Sequence, residues 1–199
     1  LNKLSRKDLW SLEEYAERRP EFRHQVLTHK KHRQVALGEH ARLCFEDRLT
    51  IQYQVQEMLR IERVFEAAGI QEELDAYNPL ISDGCNWKAT FMIEYEDVAE
   101  RQEQLTQLLG IEDKVWARVD GFDKVFPIAD EDMDRSTMDK TSAVHFLRFE
   151  LTPAMIHGLK TGASLAFGCD HPAYLLAGKV VADDIRESLL GDLDYGHIN

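Results

Sequence analysis

A chain of 199 residues with 44% apolar content is long enough for one domain with a sizeable core, and its net charge of -12 disfavours nonspecific nucleic-acid binding. No apolar run approaches the ~20 residues of a membrane span, no signal-peptide pattern is present, and a cytoplasmic protein is expected. Three scattered cysteines, Cys44, Cys85 and Cys169, argue against both a disulfide framework and a zinc ribbon.

Ser5-Arg6-Lys7-Asp8 has the form of a capping box and opens a first helix over about Asp8 to Arg18, burying Leu9, Leu12, Tyr15 and Ala16. Pro20 suits the first turn of a second helix reaching about Arg33, because its missing N–H would have no intrahelical partner there. Phe22, Val26 and His29 form that helix's short apolar stripe, and the rest of it is basic. Residues 1–42 hold 10 Lys/Arg against 6 Asp/Glu, whereas residues 43–199 hold 14 against 30. A solvated basic face, or one paired with the acidic body, is expected, and Phe22 alone gives no stacking platform for bases. Glu21-Phe22-Arg23-His24 has the spacing of a di-iron helix, but such sites need a second motif, so an exposed face is the better reading.

Gln34 to Leu37 and Arg42 to Glu46 read as a short hairpin about Gly38-Glu39-His40. Leu49 to Phe65 is the longest helical signal, with Ile51, Val55, Met58, Leu59, Ile61 and Phe65 on one side. Glu62 falls near the middle of that stripe, where a buried carboxylate must be paired, hydrogen-bonded, metal-bound or protonated. The helix is expected to stop at Gly69, and another from about Gln71 carries Leu74 and Tyr77 before Pro79.

Ala89 to Tyr95 reads as a strand and Val98 to Leu109 as a helix closed by Gly110. Val115 to Val119 and Lys124 to Ile128 read as a hairpin across Asp120-Gly121, followed by an acidic, solvated loop from Asp130 to Lys140. Val144 to Leu151 is the strongest strand, Pro153 opens a short helix to about Lys160, and Ser164 to Gly168 is a further strand. Val180 to Leu190 reads as an acidic helix docked on the core or on a partner, with a loose tail from Tyr195 to Asn199. The mixture lacks regular β-α-β alternation, so the expected class is α+β: an antiparallel or mixed sheet with helices packed on it, preceded by an N-terminal helical segment. The expected organisation is a single domain over residues 1–177 with a C-terminal helix and tail over 178–199.

Three places can carry chemistry. Glu62 reads as a metal ligand, a general base or half of a structural ion pair. On the strand at Val144, period two puts His145, Leu147 and Phe149 on one face and Phe146, Arg148 and Glu150 on the other. Both faces are largely apolar, so a central strand is expected, with His145, Arg148 and Glu150 all turned inward. They read as ligand-binding groups or as a satisfied histidine beside an Arg148-Glu150 pair. Cys169-Asp170-His171-Pro172 follows a strand and reads as a turn or as a loop presenting His171 to a metal. No dinucleotide fingerprint, Walker A, H-E-x-x-H or G-x-S-x-G sequence is present.

The stretches Trp10 to Tyr15, Val35 to Gly38, Gln56 to Glu66, Gly69 to Gly84, Lys140 to Ile156 and Asp170 to Tyr174 resemble a bacterial domain family of unknown function, over about residues 4 to 174. Residues 178–199 lie outside the resemblance, and Cys169 is not a family feature. The resemblance implies an encoding beside a rubrerythrin-like protein and a heterodisulfide-reductase-like iron-sulfur protein, hence redox or peroxide metabolism, and it carries no catalytic residues. The leading expectation is an accessory protein of a cytoplasmic redox system. It would bind a small ligand or a divalent metal ion (iron, zinc or manganese) between the long helix and the sheet, or dock to an iron-sulfur partner. Glu62, His145 and His171 would be the metal ligands; Glu62, Arg148 and Glu150 would hold a small ligand. The rivals are a small-molecule enzyme with Glu62 as base and Arg148 as anion anchor, and a structural interaction module. A homo-oligomer is left open.

Overall fold

The computed structural model describes residues 3–194, and the tail expected over Tyr195–Asn199 lies outside them. Two antiparallel sheets carry the fold. One has five strands in the order β1 (Gln34–Leu37), β2 (Ala41–Glu46), β3 (Asn86–Ile93), β6 (Val144–Glu150) and β5 (Ile128–Ala129). The other orders β4 (Val115–Val119), β7 (Leu165–His171) and β8 (Tyr174–Val180). With helices packed around them, the class is α+β, as expected, and every strand pair is antiparallel.

The main core fills the space between the sheets. Alternation along β3 and β6 turns Trp87, Ala89, Phe91, Leu147 and Phe149 inward, where Phe45 and Phe149 meet Phe167 of the facing sheet at 5.2 and 6.1 Å between ring centroids. Leu105 from α4 (Val98–Gln107), Leu159 from α5 (Pro153–Lys160) and Leu189 from α6 (Asp183–Leu190) complete this core.

Three further helices build a separate layer. α1 (Leu12–Lys30) and α2 (Arg48–Glu62) enclose Tyr15, Phe22 and Val26, while α2 and α3 (Ala67–Tyr77) enclose Ile51, Val55, Leu59 and Leu74. Helix α1 runs unbroken through Pro20, where two helices were expected. Tyr15 and Phe22, on either side of the proline, pack into one aromatic cluster with Trp10 and Tyr53, and this packing outweighs the proline's disruption. Much of the basic face is paired, through Arg18–Glu14, Arg19–Glu57, His29–Asp47 and His32–Asp184.

Helix α2 starts on a reciprocal cap, with Asp47 accepting from the Thr50 N–H and the Thr50 hydroxyl accepting from the Asp47 N–H, both at 2.9 Å. It stops earlier than expected, because Arg63 takes a left-handed conformation, φ 56°, and bonds back to Leu59 O. Phe65 lies exposed beyond that stop, and Ile61 and Glu62 lie exposed in the last turn of the helix. The expectation of a buried Glu62 is corrected: the polar side chains buried in this helix are Thr50 and Gln56, and Gln56 accepts from the Trp10 N–H at 2.7 Å.

The C-terminal segment is integral to the fold. The boundary expected at 177/178 falls inside β8, a strand absent from the sequence reading, and Leu189 and Leu193 sit in the main core. Trp87 Nε1 donates to Leu189 O at 2.9 Å, and buried Arg33 reaches Ser188 O and pairs with Asp192. The second hairpin is also different. Lys124–Ile128 contributes a single bridge, Ala117 to Val125, and β5 instead pairs with β6.

Candidate functional site

A cleft of about 750 Å³ lies between the α2–α3 layer and the outer face of the five-stranded sheet, within the size range of small-molecule sites. Met58, Tyr77 and Leu80 come from the helical side, and Lys88, Phe146 and Arg148 from the sheet. These sheet residues are the outward members of the alternation that sends Trp87, Leu147 and Phe149 into the core. Apolar walls thus meet a charged floor.

Lys88 and Arg148 stand directly opposite each other in the β3–β6 register, a cross-strand pairing of like charges that disfavours the sheet. The two are treated differently. Arg148 is gripped by Glu131, Nε and Nη2 each 2.7 Å from a carboxylate oxygen, and pairs with Glu150 on its own strand. Lys88 is half-buried and makes no hydrogen bond or ion pair to any described residue. Burial, and then the Arg148 charge, hold its ammonium below the usual lysine range. Glu73, on the helical wall, is pushed up by burial and by the neighbouring Glu62 and Glu72 carboxylates.

A second cluster occupies the inner face of β6. His145 is fully buried; its Nδ1 lies 2.5 Å from Asp130 Oδ2, and its Nε2 lies 2.8 Å from Thr141 Oγ1, 3.0 Å from Ser142 O and 3.7 Å from Glu112 Oε2. Thr141 donates its hydroxyl proton to Glu112 at 3.0 Å, Ser136 donates to the other Glu112 oxygen at 2.8 Å, and Asp130 also accepts from the Phe146 N–H at 2.9 Å. Arg135 pairs with Asp130 and lies over the Phe146 ring. Among the described residues, Glu112, Asp130 and His145 form the group of three whose ligand atoms all lie within 4.8 Å of one another.

The structure thus separates the residues expected to act together. His145 points inward as expected. Arg148 and Glu150 lie on the outer face instead, because strict alternation opposes them to His145, and Arg148 alone lines the cleft. Glu62 is solvent-exposed, outside both the cleft lining and the buried cluster. His171 is committed to the β7–β8 turn, its Nε2 facing Leu109 O at 3.1 Å and its Nδ1 accepting from the Ala173 N–H at 3.2 Å. Its neighbour Asp170 bonds Trp116 Nε1 and Lys124. Lys88 and Glu112 went unread in the sequence, whereas Asp130 was expected at the head of a solvated acidic loop and instead lies against His145.

A family model described as a protein of unknown function (DUF3501) matches residues 3–193. The chain belongs to the DUF3501 family. The match includes the C-terminal segment, which the resemblance had left out. The chain is also similar to a protein of unknown function from Burkholderia pseudomallei K96243, whose crystal structure was solved at 1.90 Å resolution. That similarity has 53% identity and a TM-score of 0.93, and covers 97% of this chain and all of the other. No curated protein matches the chain. Within the described residues of this DUF3501 chain, no helix is long and apolar enough to cross a membrane.

Proposed function

We propose that this DUF3501 protein binds a small anionic molecule with an apolar body in the cleft between α2–α3 and the sheet. The observation that carries the reading is Lys88: a half-buried ammonium without a hydrogen bond or ion pair among the described residues, set opposite an arginine that is already neutralised. Glu131, Asp83 and Glu150 act on Lys88 through space without an ion pair, and a ligand carboxylate, sulfonate or phosphate supplies the direct contact. Met58, Tyr77, Leu80 and Phe146 offer the surface for the ligand's apolar part.

The setting is a proposal as well. The resemblance described above supports an accessory role in a redox or peroxide-response system beside an iron-sulfur or rubrerythrin-like partner, and the sequence pattern supports a cytoplasmic setting. Glu62 is not carried forward as a general base, since its carboxylate faces solvent outside the cleft lining.

The test is a fluorescence titration with anilinonaphthalene sulfonate, an aromatic anion of suitable size. Wild type is expected to bind one equivalent. A charge-assisted contact contributes about 1.5–3 kcal/mol, so Lys88→Met should weaken binding by about 10- to 100-fold, while removal of the like-charge pair leaves stability unchanged or raised. Glu62→Gln should bind as wild type does. Equal binding by Lys88→Met and wild type would refute the assignment.

A further inference from the structure

We infer that Glu112 and His145 form a divalent transition-metal site, with Thr141 Oγ1 and Ser142 O as further donors and Asp130 as the carboxylate that orients the histidine. The site lies on the opposite face of β6 from the cleft and stands independently of the ligand proposed there.

The geometry around His145 Nε2 carries the inference. Three oxygens crowd this one nitrogen: Thr141 Oγ1 at 2.8 Å, Ser142 O at 3.0 Å and Glu112 Oε2 at 3.7 Å. Ser142 O and Glu112 Oε2 present only lone pairs toward Nε2, and the Thr141 hydroxyl has one proton for Glu112 at 3.0 Å and Nε2 at 2.8 Å together, so neither a single N–H nor a single O–H serves the whole group. Metal bonds of about 2.0–2.2 Å place neighbouring ligand atoms about 3 to 3.6 Å apart. The separations around Nε2, and that between Thr141 Oγ1 and Glu112 Oε2, fall at or near such edges. Meanwhile Nδ1 is held by Asp130 Oδ2 at 2.5 Å, an arrangement in which a carboxylate fixes the tautomer and ring orientation of a metal-bound histidine.

Charge and ligand type narrow the occupant. Three carboxylates, Glu112, Asp130 and Asp132, interact here with one guanidinium, Arg135, and one imidazole. A divalent ion reduces this excess. One imidazole nitrogen with oxygen donors and no thiolate suits manganese, iron(II) or zinc. On binding, any proton on Nε2 leaves to solvent and its lone pair goes to the metal, so affinity falls as pH is lowered.

The experiment titrates chelator-treated protein with cobalt(II), followed by its visible absorption, and then displaces the cobalt with zinc. Wild type should bind one equivalent, with a spectrum showing nitrogen and oxygen ligation. Glu112→Gln preserves side-chain shape and should weaken binding at least tenfold. His145→Asn should abolish the spectrum, and Asp130→Asn should weaken binding about 10- to 100-fold. Should His145→Asn fail to fold, Glu112→Gln decides. Absence of stoichiometric binding by wild type, or equal affinity in the folded variants, would overturn the assignment and leave the cluster a hydrogen-bonded network.

Discussion

Arg33 is the residue on which the largest stability change is expected. Its side chain is 2% exposed, yet it carries a full charge between two parts of the chain far apart in sequence. Nε donates to Phe45 O at 3.1 Å, Nη1 to Ser188 O at 3.1 Å and Nη2 to Glu46 O at 3.2 Å. The same guanidinium pairs with Asp192 and lies 3.4 Å from Asp47. Arg33→Met keeps the apolar stem, removes these donors and leaves Asp192 buried without its cation. Breaking a buried pair in this way costs about 3–5 kcal/mol, against a typical total stability of about 5–15 kcal/mol. At about 2–4 °C per kcal/mol for a chain of this length, the melting temperature near pH 7.5 should fall by about 6–20 °C.

The pH dependence identifies the group responsible. Burial pushes Asp192 up to about 6 despite the opposing pull of Arg33. A carboxyl raised in the folded state binds more protons there than in the unfolded chain. Its contribution is therefore complete below about pH 4 and is lost as pH rises through about 6, a loss of about 3 kcal/mol. Without Arg33 the folded value rises further, so the variant gains more from acid than wild type does. The gap in melting temperature, measured by circular dichroism, should narrow clearly at pH 5. A fall of less than about 3 °C at pH 7.5, or an identical gap at both pH values, would refute this account of what Arg33 holds.

Two further changes follow from local geometry. A Cβ at Gly168 would lie 2.3 Å from Trp116 Cζ2 and 2.7 Å from Leu176 O, and the backbone atom cannot yield as a flexible side chain would. Gly168→Ala should therefore destabilise by about 3 kcal/mol or more in chemical denaturation, and a near-neutral result would show that β8 can shift away. Pro20 is exposed within α1, so Pro20→Ala restores a helical N–H without disturbing packing. It should stabilise by about 1–3 kcal/mol, and an unchanged denaturation midpoint would count against an interior-proline penalty here.

Sequence periodicity revealed what depends on local pattern. The strand reading at Val144 turned His145, Arg148 and Glu150 all inward, which holds for His145 alone, and the signal at Leu49 located α2. What it missed depends on events that periodicity does not encode. A 100° wheel assigns Phe65 to a buried stripe only if the helix continues, and the left-handed turn at Arg63 ends it first, while Ile61 and Glu62 lie in the last exposed turn of α2. Strand β8 was hidden because Val180 seemed to begin a helix, whereas that helix starts at Asp183 beyond a sheet edge. Glu112 and Asp130 meet His145 only through tertiary pairing. Two residues of β5–β6 register, Ile128 with Arg148 and Ala129 with Leu147, carry Asp130 alongside Phe146.

That register also explains why both proposed sites adjoin one strand. On β6, odd positions face the core and even positions the cleft, so His145 and Arg148 are three residues apart but on opposite faces. The chain beside them divides in the same way. Asp130, with φ at 50°, sends its carboxylate inward to His145, while the adjacent Glu131 reaches outward to grip Arg148. Asp130 and Glu131 are thus pinned to opposite faces of one strand. A change that frees Asp130 also loosens Glu131, and with it the acid that neutralises Arg148 and leaves Lys88 as the cleft's unpaired cation. Asp130 and Glu131 thus tie the proposed outer site and the proposed inner one to a single peptide unit.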